Sequence, residues 1–200
     1  GDWSSDVCSS DLDFVTMLQE VLPQLLEQKT RIITNAGGIN PKECALVIQS
    51  MAQELGLNPK IAVVHGDDIA RELSHEKFQS EDLTNIETGE KFATVADKIV
   101  AANVYFGAAP VVQSLQKWQP DIIVTGRVTD TGITLAPMIY EFGWSFDDWN
   151  KLASGVVGGH LIECGSQVTG GNFTDWHLVD DFNEIGYPVL ERSEEHTSEL

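Results

Sequence analysis

Short apolar runs alternate with helix-forming stretches along this chain, and that alternation limits the available folds more than any other feature. Arg31–Asn35 (RIITN), Lys60–Gly66 (KIAVVHG) and Asp121–Gly126 (DIIVTG) are rich in β-branched residues, and each leads into a polar or glycine-containing turn. A fourth run, Lys98–Gly107 (KIVAANVYFG), also reads as a strand. Ahead of the first run, Phe14, Leu18, Val21, Leu22, Leu25 and Leu26 recur at helical spacing, with Pro23 kinking or dividing the helix. Asn40-Pro41-Lys42-Glu43 reads as a helix start, with Asn as the cap and Pro at the first position. That helix carries Ala45, Ile48, Met51, Ala52 and Leu55, and ends at Gly56.

Further along, the spacing predicts a helical turn over Asp67–Leu73 and a polar excursion over 74–95, as a lid or a hairpin around Thr88-Gly89. Helices are expected over Pro110–Trp118 and Thr129–Phe142, the latter bent or interrupted by Pro137. A capping box at Ser145–Asp148 opens a last helix carrying Trp149, Leu152 and Val156. Strands alternating with helices form βαβ units with right-handed crossovers. The expected fold is therefore α/β, a Rossmann-like three-layer sandwich with a mostly parallel sheet.

The two ends of the chain differ in character from the rest. Residues 192–200 (RSEEHTSEL) read as the translation of a short-read sequencing adapter, and residues 1–12, through DWSSDVCSSDL, as a frame of its reverse complement. Both are set aside as artefacts, which leaves 13–191 for fold reasoning. Cys44 and Cys164 remain there, distant from each other, which gives neither a disulfide framework nor a zinc pattern and suits a reduced cytoplasm. The net charge of −19 argues against nucleic acid, because neutralising phosphates takes clustered Lys and Arg. An anionic substrate would need a local positive field against that global one. No apolar run reaches the roughly 18 residues of a membrane-spanning helix.

In an open parallel sheet, ligands bind beyond the carboxyl ends of the strands. The residues following the expected strands are Asn35, Gly37 and Gly38; His65, Gly66, Asp67 and Asp68; Gly107 and Ala108; and Gly126, Arg127 and Asp130. All four turns are expected at one edge of the sheet. Gly37-Gly38 before a capped helix allows close approach of an anion to backbone N–H groups, or serves only the tight turn. Neither GxGxxG nor GxxxxGKS is present, so a nicotinamide cofactor is not supported. Asp67-Asp68 is either a helix cap or, with Asp130, a magnesium or substrate-hydroxyl site, and the metal requirement stays open. Arg127 either pairs with Asp130 or clamps a carboxylate, phosphate or thioester oxygen.

A second cluster lies downstream. His160 and Glu163 or Cys164 share a helix face at three- or four-residue spacing. Glu163 and His160 suit proton transfer, and Cys164 suits a nucleophile activated by imidazole, or a small buried residue. Gly170, Gly171 and Asn172, after Thr169, form the expected backbone nest for an anion or oxyanion. Trp144, Trp149 and Trp176 are core or pocket walls, or serve an interface.

Four runs in this chain carry a family resemblance: ITNAGGINP (Ile33–Pro41), VVHGDD (Val63–Asp68), TGRVTDTG (Thr125–Gly132) and GGHLIECGSQVTGGNFTDW (Gly158–Trp176). In order and spacing they resemble the N-terminal domain of the acyclic terpene utilisation (AtuA-like) family, over about Asp13 to Glu191. The resemblance implies a cytoplasmic bacterial protein of isoprenoid or acyl-CoA catabolism. It implies a branched isoprenoid acid or its CoA thioester as substrate. The alternative is a non-catalytic ligand-binding or assembly component beside a biotin-dependent acyl-CoA carboxylase. The family would also place glycine-rich sequence and a strand before Asp13 and continue past Glu191, so the sandwich is expected to be incomplete at both ends.

Overall fold

The computed structural model describes residues 8–74 and 83–191. Over these residues it is an α/β protein built on a three-stranded, all-parallel sheet. The strands are β1 (Ile32–Thr34), β2 (Ile61–Val64) and β3 (Ile122–Thr125), in the order β1-β3-β2. Ile32 and Ile61 both stand beside Ile122 on either side of β3. β3 is buried at every position, as the unbroken apolar run IIV requires of a central parallel strand. The chain divides into two compact units, one comprising Gly1–Phe106 and Pro120–Val128, the other Gly107–Gln119 and Thr129–Leu200.

The first unit holds the sheet. Helix α1 (Cys8–Glu27) starts six residues ahead of the periodic apolar positions and runs through Pro23 without dividing. Helix α2 (Pro41–Glu54) starts where its cap predicts: the Asn40 side chain accepts from the Glu43 N–H at 3.3 Å, and Pro41 fills the first position. Leu18 and Leu22 of α1 and Ile48 and Ala52 of α2 pack with Ile122 and Val124 in one apolar cluster. Residues two apart on a strand share a face, so Ile122 and Val124 mark the side of the sheet that the two helices cover. Each fully buried Leu, Ile or Val side chain contributes about 1.5–3 kcal/mol.

Three expectations change in this unit. The run 98–107 is not a strand. It touches its neighbours through single bridges, Asp68 with Asn103 and Phe106 with Val128. Val100 is 93% exposed, and Val104 and Tyr105 also face outward, so the run has no apolar face to seat in a ladder. Asp67-Asp68 does not open a helix; only a 3₁₀ turn at Glu72–Ser74 forms. Of the excursion, 75–82 lie outside the described residues. The part that follows is a hairpin-like turn in which Asn85 N–H donates to Glu90 O and Phe92 N–H to Leu83 O, with helix α3 (Phe92–Val95) after it.

The second unit is helical. Helix α4 (Ala109–Trp118) packs against α5 (Gly132–Phe142), and α5 against α6 (Trp149–Glu163). α5 begins three residues later than its apolar pattern and continues through Pro137. The cap before α6 is shifted from the expected box. Asp148 is the capping residue and reaches back to the Ser145 N–H at 2.9 Å, while the Ser145 hydroxyl takes the Asp147 N–H. Close approach of α6 to its neighbours depends on glycine. A Cβ on Gly159 would lie 2.8 Å from Thr131 Cβ, and one on Gly155 2.6 Å from a Leu135 methyl.

Candidate functional site

The turns that leave β1, β2 and β3 meet at the carboxyl edge of the sheet. The first is held against the third: a Cβ on Gly37 would lie 2.5 Å from the Thr125 carbonyl, so only glycine passes there. Gly38, at φ +51°, donates its N–H to Asn35 O.

The second turn is tied to the third by Asp67. This side chain is 2% exposed, and its Oδ2 accepts from the Arg127 backbone N–H at 2.8 Å and from Asn103 Nδ2 at 3.0 Å. Its backbone carbonyl accepts from Val104 N–H at 2.8 Å. A buried carboxylate is stable only when so paired. Gly126 makes room for it, since a Cβ there would lie 2.3 Å from Asp67 Oδ1. Asp68, by contrast, is exposed and closes a local turn by accepting from Ala70 N–H at 2.9 Å. Neither aspartate caps a helix.

Arg127 extends from this braced turn and is exposed. Its Nε donates to the Tyr105 hydroxyl at 3.1 Å, Nη2 turns to the same oxygen, and the guanidinium carbon sits 4.7 Å from the ring centroid. Tyr105 and Asn103 were not recognisable as site residues from sequence, because both lie in a run read as ladder. The one available signal was an amide, Asn103, inside an apolar stretch.

Beside these turns lies an open cleft of about 250 Å³, lined among others by Asn40, Lys42, His65, Asp67, Asp68 and Arg71. It combines the start of α2 with the end of β2, the place where an open parallel sheet takes ligands. Lys42 and Arg71 supply its cationic groups, and no sequence motif marks either. Among the described residues, no three His, Cys, Asp or Glu side chains are grouped to hold a metal ion.

The second unit carries the remaining sequence candidates. His160 and Glu163 fall in the last turn of α6, and Cys164 follows it. All three are exposed. The Cys164 thiol donates to Glu163 Oε1 at 3.0 Å. That hydrogen bond raises the thiol pKa above its ordinary value, with slight desolvation and the charges of Glu163 and Asp130 acting in the same direction. The shift disfavours the thiolate, the form in which a cysteine attacks.

Gly158 and Gly159 are buried packing positions of α6, the former against Leu190 and the latter against Thr131. In the following loop, Gly171 donates its N–H to Ser166 O at 2.8 Å, and the Thr169 hydroxyl turns to the carbonyls of Ser166 and Gly186. Gly170 and Asn172 are exposed, and Gly170 takes φ +126°. Trp144 is core, stacked on Phe142 at 5.5 Å, whereas Trp149 and Trp176 are 71% and 64% exposed.

No helix among the described residues is long and apolar enough to cross a membrane. A family model described as acyclic terpene utilisation family protein AtuA matches residues 10–198. No curated protein and no solved structure matches the chain.

Proposed function

The chain belongs to the acyclic terpene utilisation family AtuA, and from that premise we propose that it is an enzyme binding a branched isoprenoid acid or its CoA thioester through Arg127. The carrying observation is a guanidinium at the end of the central strand whose backbone is fixed by the buried Asp67 carboxylate. A planar, always-charged donor at such a place suits a carboxylate, a thioester oxygen or a phosphate. It also supplies the local positive field that an acidic protein needs for an anionic ligand. The chemistry we assign is acid–base work of the hydration, lyase or acyl-transfer kind. Glu163 and His160 exchange protons, and Cys164 acts as a neutral thiol donor that orients Glu163. The Gly170-Gly171-Asn172 loop, Asn35, Asp68 and Asp130 are assigned to substrate contact, and the protein to the cytoplasm. A three-layer Rossmann-like sandwich remains the architecture that the parallel β1-β3-β2 core best supports.

Calorimetric titration of the full chain with geranate, geranoyl-CoA and free CoA tests the binding half. Binding of one of these by the wild type, lost in Arg127→Ala, is the expected result. Equal affinity in that variant removes Arg127 from the reading. For the chemical half, Glu163→Gln should abolish turnover of the bound compound with an unchanged melting temperature.

A second reading is a non-catalytic assembly component beside a biotin-dependent acyl-CoA carboxylase. The exposure of Trp149 and Trp176 favours it, because large exposed aromatics are enriched at interfaces. Co-purification with carboxylase subunits, lost in a Trp149→Ser/Trp176→Ser variant, would select it.

A further inference from the structure

We infer that Tyr105 is the positioning residue of the Arg127 anion site and its second hydrogen-bond donor, an inference that rests on the reading of Arg127 given above. The argument begins with the brace. Asp67 receives Asn103 Nδ2 and Arg127 N–H on one carboxylate oxygen, and its backbone carbonyl receives Val104 N–H. Those three bonds pin the 103–105 run to the turn after β3. Phe106 N–H donating to Arg127 O at 3.3 Å closes the same junction from the other side. Tyr105 and Arg127 lie 22 residues apart in sequence, yet each is carried by backbone that Asp67 holds.

The side-chain geometry gives the pair its use. A guanidinium carries five N–H groups. Nε and one Nη2 hydrogen turn to the phenol oxygen, and the guanidinium carbon lies 4.7 Å from the ring centroid, within cation–π reach. Nη1 has no partner among the described residues. With its oxygen already accepting from Arg127, the phenol can direct its own proton only outward. The result is a flat cation held in one orientation beside an O–H donor. Holding a long, rotamer-rich side chain in place before binding removes part of the ordering cost that binding would otherwise incur. The ligand chemistry is a planar or tetrahedral oxyanion, either the carboxylate of an isoprenoid acid or a phosphate of CoA. Because Tyr105 is half exposed, it stabilises the fold little, so its substitution separates recognition from folding.

The test is calorimetric titration of geranate, and separately of free CoA, into the full chain and its Tyr105→Phe, Tyr105→Ala and Arg127→Ala variants, with melting temperatures recorded alongside. Tyr105→Phe should weaken binding about tenfold by losing the hydroxyl while keeping the ring. Tyr105→Ala should weaken it further by losing the ring as well, with melting temperature unchanged in both. Weakening for geranate identifies the carboxylate as the recognised group, and weakening for free CoA identifies the phosphate. Wild-type affinity in both Tyr105 variants, with binding lost in Arg127→Ala, overturns this inference and leaves the Arg127 reading standing. Wild-type affinity in Arg127→Ala, or no binding by the wild type, overturns both. Should Tyr105→Ala fail to fold, the near-isosteric Tyr105→Phe alone decides.

Discussion

The Asp67 carboxylate, buried beneath the sheet edge, accepts the backbone N–H of Arg127 at 2.8 Å across 60 residues of chain. It links the turn after β2 to the turn after β3, so the direction in which Arg127 leaves the sheet is set by a residue of another turn. Asp67 thus holds that position through Oδ2.

Asp67→Ala strands two part-buried donors, the Arg127 N–H and the Asn103 amide. Hydrogen bonds to a charged group contribute roughly 1.5–3 kcal/mol. The expected loss is about 2–4 kcal/mol in chemical denaturation, with a smaller loss for Asp67→Asn, which keeps an acceptor. A change within about 0.5 kcal/mol for the alanine variant would show that the brace carries no stability.

Gly126→Ala tests the same junction from the opposite side. Its new methyl would lie 2.3 Å from Asp67 Oδ1, so the carboxylate must leave its donors or the backbone must shift. Overpacking of this kind costs roughly 1–3 kcal/mol. The Gly126→Ala and Asp67→Ala effects should be strongly non-additive in a double-mutant cycle, because both break one arrangement. Simple additivity would contradict the shared cause.

In α6 the sign of a glycine substitution is the measurement. Alanine in a helix interior is favoured over glycine by about 1 kcal/mol. Gly159→Ala should nevertheless lower the melting temperature, since its Cβ would meet Thr131 Cβ at 2.8 Å and Thr131 Cα at 3.1 Å. Gly155→Ala should cost less, because its nearest obstacle is the movable end of Leu135. A stabilised Gly159→Ala protein would mean the α6 face is not packed as described.

The thiol of Cys164 gives a pH-dependent prediction. Hydrogen bonding to the Glu163 carboxylate, then desolvation and nearby negative charge, raise its pKa and disfavour the thiolate. The pH profile of alkylation by iodoacetamide should therefore have its midpoint above that of an ordinary thiol. Glu163→Gln removes the negative charge, lowers the midpoint and speeds alkylation at neutral pH. Identical profiles for wild type and variant would separate the two side chains. Buried Cys44 should stay unmodified in the folded protein.

The parts of this fold that were legible in sequence are those decided locally. Asn40-Pro41 starts α2 because the cap and the fixed proline φ act within one turn. The run Ile122–Thr125 is a central strand because its three consecutive β-branched apolar residues favour burial on both faces. The stretch 98–107 has equally apolar composition but ends as an irregular run, because its strand character depended on a neighbour for a ladder. The glycines at 158 and 159 look chemical beside His160 and Glu163, yet they are packing positions, a distinction made by Leu190 and Thr131. Tyr105 lies outside any motif; only the tertiary path through Asp67 places it on Arg127.

The strand order carries a consequence for how the protein is made. β1 and β2 flank β3 and do not touch each other in the sheet, so a ribosome delivers both outer strands before the one that joins them. Until Ile122–Thr125 emerges, neither has a strand to bond to among the described residues, and the apolar faces of α1 and α2 lack Ile122 and Val124. The nascent chain must carry that apolar surface unburied until β3 emerges, a burden that falls on chaperones or on slow translation rather than on the finished fold.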